Sequence, residues 1–376
     1  MNFKMTRLEK KWVLYDVGNS AFTMLVSTIF PIYFNYLAEN AGISDVNYLA
    51  YWGYASSICT LLVALMGPTL GAVADTKDFK KLIFKVVLFI GVAGCVILGF
   101  LSSWIWFLGV FILAKTGYSA SLIFYDAMLT DVTEPERMDT VSSQGFAWGY
   151  IGSCIPFVAS LGVVLGGGSL GLSMQSSMSI AFFITAAWWL ASAVPLLISF
   201  KQKYYIESTE HVILNSFCRL GKTFSDIKQE KHIFLFLLAF FFYIDGVYTI
   251  IDMATAYGQA LGLDSTGLLL ALLLTQIVAF PSVLLLNCLA KKIGSTKILT
   301  ICILAYLFIA LYAYGLDTQR DFWILAVMVG LFQGTVQALS RSYFGKIIPV
   351  EKSGEYFGLY DICGKGASFM GTTLVG

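Results

Sequence analysis

Apolar residues run through this chain in long unbroken blocks, separated by short polar connections, with neither the alternation of half-buried strands nor the one-sided stripe of a surface helix. Leu82 to Leu101 is typical, with no polar face of the kind a water-soluble helix presents. A hydrocarbon core about 30 Å thick needs roughly 20 apolar residues per helix. On that rule the sequence predicts eleven spans. They run from Val13 to Leu37, Tyr48 to Ala74, Leu82 to Leu101, Trp104 to Leu129, Thr140 to Leu165, Met178 to Phe200, His232 to Tyr257, Thr266 to Leu289, Ile298 to Leu316, Phe322 to Phe344 and Tyr356 to Gly376. Lys201 to Lys231 is the one long polar connection. The expected organisation is therefore a six-helix half over residues 1–200, a cytoplasmic central loop over 201–231 and a second half over 232–376 with five helices and a missing twelfth.

Composition agrees. Hydrophobic residues make up 58% and charged residues 12%, against about 25% charged in ordinary soluble domains, and the mean hydropathy is +0.77. The net charge of +1 carries little information, because in a membrane protein the placement of charge matters and its sum does not. Lysine and arginine precede the first span and follow the second, fourth, sixth, eighth and tenth, while the alternate loops hold only Arg320. That alternation checks the span count and predicts a cytoplasmic N-terminus. The basic start MNFKMTRLEKK leads into a full-length span with no cleavage site, so it reads as a retained first helix. The seven cysteines form no CxxC and have no histidine at ligand spacing, which leaves them as small apolar packing residues and predicts no metal site.

A weak internal repeat relates PERMDTVSSQGFAWGYIGS, after the fourth span, to VEKSGEYFGLYDICGKGAS, after the tenth. It aligns Glu136-Arg137 with Glu351-Lys352, Gly149 with Gly364, Ser153 with Ser368 and Asp126 with Arg341. Several strings then resemble the vacuolar-effluxer-like branch of the major facilitator superfamily: LYDVGNSAF (Leu14 to Phe22), DGVYTI (Asp245 to Ile250), QALSRS (Gln337 to Ser342) and FGLYD with CGK (Phe357 to Lys365). GAVADTKDFKK resembles the superfamily's loop motif at Gly71, Asp75, Lys80 and Lys81, departing at Thr76 and Asp78, where that motif usually carries Arg and Gly. The resemblance implies an all-α major facilitator fold of two six-helix halves, alternating access and a central cavity; its founding fungal members export amino acids from the vacuole. Two further departures, FYDA at Phe124 to Ala127 for FYNA and YIDG at Tyr243 to Gly246 for YNDG, change polarity near the expected pathway.

Ionisable residues inside spans are costly, at least roughly 2.5–3.5 kcal/mol near mid-bilayer, and each needs a reason. Lys115 falls near the middle of the fourth span with Ser119 and Asp126 on its face, as a carboxylate anchor or as half of an interhelical salt bridge. Asp245, Thr249 and Asp252 share one face of the seventh span, with the carboxylates about 10 Å apart, as a proton relay or as partners of Lys115. Asp16 and Asn19 open the first helix, as substrate contacts or as a cap and charge partner in its first turn. Asp361 and Lys365 have the spacing of a self-satisfied intrahelical pair. Gln333, Gln337 and Arg341 form a stripe descending toward the cytoplasm. Asp75, Lys80, Lys81, Glu136, Arg137, Arg341 and Glu351 are the gating candidates, and Asp75, Glu136, Arg137, Arg341 and Glu351 are expected in ion pairs between the halves.

Gly145, Gly149 and Gly152, and Gly364, Gly366 and Gly371, permit close helix contact or bending. Trp12, Trp104 and Trp323 stand near span ends as interfacial anchors. His211 and His232 belong to the central segment or its edge, which excludes an embedded histidine relay.

The expectation is a non-enzymatic, monomeric secondary transporter in the plasma (inner) membrane. It moves a small polar solute, an amino acid or similar zwitterion, with protons as coupling ion through Asp245 or Asp252. Its partners are that solute, protons and membrane lipid, with no cofactor, metal or nucleic acid. The rival readings are a transport-inactive sensor or scaffold and a lipid-modifying enzyme; the latter lacks any HExxH, GxSxG or embedded histidine.

Overall fold

A computed structural model describes residues 4–207, 215, 216, 218, 220–223 and 230–375. The side chains at 45, 46, 252, 255, 256, 259, 260, 265, 266 and 367–375 lie outside the description, and with them the readings made of Asp252, Ser368 and Gly371. His211, Arg219 and Lys228 also lie outside the described residues.

Eleven long helices account for the predicted spans: α1 (Arg7–Asn40), α2 (Asp45–Ala74), α3 (Phe79–Leu98), α4 (Trp104–Ala127), α6 (Pro135–Gly166), α7 (Met174–Ser199), α8 (Lys231–Ala260), α9 (Ser265–Ile293), α10 (Ser295–Tyr314), α11 (Gln319–Ile347) and α12 (Ser353–Val375). A one-turn helix, α5 (Leu129–Val132), joins α4 to α6. Ten of the long helices are long and apolar enough to cross a membrane among the described residues. Their ends follow local chemistry. A capping box closes Thr6 onto Glu9 at the start of α1, and a second closes Thr318 onto Asp321 at the start of α11. Pro135 stands in the first turn of α6, where its missing N–H removes no helical bond.

Each half has its own apolar core. The first gathers Phe22, Phe30, Phe84, Phe111, Tyr125 and Trp189 from α1, α3, α4 and α7. The second gathers Phe240, Ile244, Leu268, Tyr306, Val329 and Val336 from α8 to α11. A third cluster joins the halves at the end of the molecule that carries the basic loops, bringing Val63 and Ile123 against Leu237, Phe344, Tyr356 and Phe357. Between the halves, α2 packs along α12, and α6 packs along both α9 and α11. Large side chains such as Leu65, Phe100, Phe308 and Leu311 stay more than half exposed on the outer faces, where lipid replaces water as their surroundings.

The cysteines divide. Cys59, Cys95 and Cys302 are buried as packing residues, but Cys218 and Cys288 are exposed, contrary to the expectation for all seven. The departure at Asp78 is also visible in the backbone: Asp78 precedes α3 with φ 67°, the left-handed region that Gly enters without penalty.

Candidate functional site

The polar stripe of α11 ends on a fully enclosed guanidinium. Arg341 donates from Nη1 to Asp126 Oδ1 at 3.0 Å, from Nη2 to Asp16 Oδ2 at 3.3 Å and to the Ser142 carbonyl at 3.1 Å, and from Nε to Ser142 Oγ at 2.9 Å. Its carbon centre lies 4.7 Å from the ring of Trp12, 5.5 Å from Tyr125 and 4.3 Å from Phe146, so three aromatic faces enclose the cation. Trp12 stacks on Tyr125 with centroids 4.3 Å apart and donates its indole N–H to the Tyr125 carbonyl at 3.0 Å.

The geometry depends on the glycines of α6. A Cβ on Gly145 would stand 2.4 Å from Asp16 Oδ2, and one on Gly152 would stand 2.5 Å from Val17 Cγ1, so α1 lies against α6 only because those side chains are missing. Of the two explanations for this stripe, close static packing is the one its geometry fits.

Three further polar contacts tie the halves at the same end. Asp75 accepts the backbone N–H groups of Gly354 at 2.7 Å and Glu355 at 2.9 Å, at the start of α12. Burial in this turn, beyond the apolar part of α2, pushes the Asp75 carboxyl up to about 7, against the pull of Lys80 and of those two N–H groups. Lys80 donates to Asp131 and to Ser353, both at 2.8 Å, with neither Lys80 nor Asp131 exposed. Asp139 on α6 accepts from Lys346 and Ser342 at 2.6 Å and from Ser295. Asp131 also accepts the N–H groups of Lys203 and Tyr204, which pins the start of the central segment to the first half.

Toward the middle of the helices the ionised groups are more open. Lys115, half-buried, reaches Ser56 Oγ at 3.3 Å and lies 5.6 Å from the Phe111 ring. Lys365 donates to both oxygens of Asp361, at 2.6 and 2.7 Å, which is the intrahelical pair that its spacing suggested. Cys59 is near enough to feel the charges of both Lys115 and Lys365, and Asp126 feels that of Asp361, so groups from both halves share one region. Asp245 accepts from Thr249 Oγ1 at 3.4 Å and is half-buried. Thr23 is exposed on α1, its hydroxyl 2.5 Å from that of Tyr118. Gln333 is buried on α11, while Gln337, one turn on, is half-buried.

Several expectations need correction. Asp16 is not a first-turn cap: α1 begins at Arg7, Glu9 does the capping, and Asp16 lies more than two turns in, bonded to Asn19 and Arg341. Trp12 is no interfacial anchor, being wholly buried under Arg341 and Tyr125, whereas Trp104 and Trp323 keep half-buried positions at helix starts. Arg137 pairs with Glu9, at 2.7 Å, inside the first half and not between halves. Asp75 crosses between the halves through backbone N–H groups and not through an ion pair. Glu136 and Glu351 are exposed, and neither they nor Lys81 join an ion pair among the described residues. Among the residues that the pattern did not reveal are Trp12, Asp131, Asp139 and Ser142. Asp139 carried the one usable signal, an acid immediately before the span predicted from Thr140 and two residues after Arg137.

Sequence comparison matches residues 6–376 to the family described as vacuole effluxer Atg22 like. The chain is 43% identical over 377 residues to an uncharacterized MFS-type transporter, YxiO, of Bacillus subtilis (strain 168), covering 99% of this chain and 88% of that one. It is 21% identical over 413 residues to autophagy-related protein 22 of Coccidioides immitis (strain RS), covering 88% of this chain and 68% of that one. Among solved structures, the major facilitator transporter FucP in its outward conformation superposes with a TM-score of 0.69 at 14% identity, over 98% of this chain and 91% of that one. A bacterial homologue of the iron transporter ferroportin in an outward-facing state also superposes at 0.69, with 13% identity, over 98% and 90%.

Proposed function

The chain belongs to the vacuole effluxer Atg22-like family of major facilitator transporters, and from that premise we propose that it carries a small zwitterion, an amino acid or a close analogue, by proton-driven alternating access. It is a multi-pass membrane transporter with a small-molecule solute; the zwitterion, the protons and the direction of closure are our reading. The observation that carries the reading is the set of ionised groups that both halves bring to mid-helix: Lys115 on α4, bonded to Ser56, the Asp361–Lys365 pair on α12 and Asp245 on α8. That region is sealed at one end by the Arg341, Asp75, Lys80 and Asp139 contacts. Lys115 would take the solute carboxylate and Asp361 or Asp245 its ammonium group, each replacing water by a fixed opposite charge.

Read with lysine and arginine on the inside, the sealed end is cytoplasmic, the N-terminus is cytoplasmic, and the cavity faces outward across a plasma (inner) membrane. One chain contains both halves of the pathway, so a monomer suffices. Uptake of labelled amino acids into proteoliposomes, with and without an imposed pH gradient, tests this. Transport should follow the gradient and fall at least tenfold in Lys115→Ala. Uptake unaffected by Lys115→Ala and Asp245→Asn would remove the solute assignment, and failure of every solute to move would favour a sensor. Exposed Cys218 in the central segment should react with an impermeant maleimide from the cytoplasmic face only.

A further inference from the structure

Helix α3 has two unlike sides. Phe84, Val87, Leu88 and Gly91 are buried where α3 packs on α4 and α7, and a Cβ on Gly91 would stand 2.6 Å from the Trp189 ring. The opposite side carries Leu82, Lys85, Val86, Phe89, Ile90 and Ala93, all exposed, and these six line a groove of about 490 Å³. No other helix contributes to that lining among the described residues. Because α3 is long and apolar enough to cross the membrane, the groove opens onto lipid.

Lys85 is the charged member of the lining, six residues past Phe79 and so about 9 Å along the helix axis. An ammonium facing hydrocarbon is costly unless its stem carries it back to a polar surface or an anion meets it. Lys85 joins no ion pair among the described residues, and neither does half-buried Lys81, one turn nearer the helix start. Exposed Asp78, one turn before Lys81, pairs with neither of them. The neighbouring cations are engaged: Lys80 on Asp131 and Ser353, Lys203 on Glu134, and Lys77 at 5.2 Å from the centre of the Tyr205 ring. From Lys85 to Ala93 the groove runs about 12 Å, and half of a hydrocarbon core is about 15 Å, so the groove spans most of one leaflet. A free anion would leave it uncovered, and an apolar partner helix would leave both ammonium groups unmatched. A phospholipid supplies an anion and an apolar chain of that length in one molecule.

We propose that the outer side of α3 is a binding site for an anionic phospholipid of the leaflet at the basic end, with the phosphate held by Lys81 and Lys85 and one acyl chain lying in the groove. Two cations without a protein anion select a headgroup of net negative charge over a zwitterionic one. The site belongs to the first half alone, so it depends on neither the solute, the coupling ion nor the alternating-access reading above.

The test reads lipid at the groove itself. With Cys218 and Cys288 replaced by Ser, a bimane maleimide is placed on Ile97→Cys, exposed one turn beyond Ala93, or on Leu311→Cys, exposed on the outer side of the second half. The full chain is then reconstituted in vesicles of phosphatidylglycerol and phosphatidylcholine with identical chains, one or the other carrying bromine as quencher. At Ile97→Cys, phosphatidylglycerol should be preferred by about 25-fold, fivefold from each lysine, and at Leu311→Cys the two lipids should quench alike. Lys85→Gln should lower the preference at Ile97→Cys to about fivefold, and Lys81→Gln with Lys85→Gln should abolish it. Lys297→Gln, an exposed lysine of the second half, should read as the parent. Ala93→Trp fills the groove and should also reduce the preference. Equal quenching by the two lipids at Ile97→Cys, or a parent-like preference in the double lysine variant, would overturn the proposal. So would loss of the preference on adding inorganic phosphate, which would make this a site for free anions, and so would failure of either lipid to quench, which would assign the groove to a second copy of the chain.

Discussion

Replacing Arg341 by Ala removes the one cation between two nearly enclosed carboxylates and empties the space between Trp12, Tyr125 and Phe146. Breaking a buried ion pair from one side costs about 3–5 kcal/mol, mostly because the remaining charge is left buried and unpaired. Here both stranded acids belong to the first half, so the loss falls on the closed arrangement and is relieved when the halves part and water enters. At 1.4 kcal/mol per factor of ten, the closed-to-open ratio should drop about a hundredfold to several thousandfold near pH 8. A cysteine at Met138 reads the change, since Met138 is buried against Gly345 of the other half. With Cys218 and Cys288 replaced by Ser, Met138→Cys should resist a water-soluble maleimide when Arg341 is present and react in Arg341→Ala. Arg341→Lys should fall between them, because an ammonium keeps one carboxylate but loses the fork and the ring stacking. If Met138→Cys stays protected in Arg341→Ala at pH 8, the cluster does not hold the halves together and the reasoning is refuted.

Other contacts give equally definite outcomes. Lys80→Met should lower the melting temperature in detergent by stranding Asp131, at a cost of about 3–5 kcal/mol, and adding Asp131→Asn, which removes the charge but keeps an acceptor for the Lys203 and Tyr204 N–H groups, should recover most of the loss; a double variant no better than the single one would contradict this. Gly71→Ala would place a Cβ 2.2 Å from the Gly354 carbonyl oxygen, so α2 and α12 must separate at a cost of about 1–3 kcal/mol, raising Met138→Cys reactivity. The Asp75 carboxyl is raised from 3.8 to about 7, so the closed state binds the extra proton. Its stabilising contribution is complete below about pH 4 and is lost as the pH climbs through 7, and melting temperatures across that range should flatten in Asp75→Asn. Asp78→Gly should leave transport intact and stabilise the loop by up to about 1 kcal/mol, read as a small rise in melting temperature.

The spans, their number and the alternation of basic loops were legible because each follows from a local rule: a hydrocarbon layer of set thickness demands helices of set length. The capping boxes and the Asp361–Lys365 pair were legible for the same reason, since partners three or four residues apart meet whenever a helix forms. The family strings gave the fold, and the resemblance marked Asp75, Lys80 and Arg341 as residues of interest without showing what they touch.

What a side chain meets across helices followed no such rule. Asp16 and Arg341 are 325 positions apart, and their contact depends on how α1, α6 and α11 cross, which the missing side chain of Gly145 permits and no window of sequence displays. Trp12 had the address of an interfacial anchor and became the lid of a buried cation. Arg137, a candidate to bridge the halves, turned inward to Glu9. Sequence alone determined where the helices are, because bilayer thickness acts on each segment separately. Only the tertiary structure decided which charges share a site, because helix packing sets register to within a side chain and buried charges must find partners wherever that register puts them.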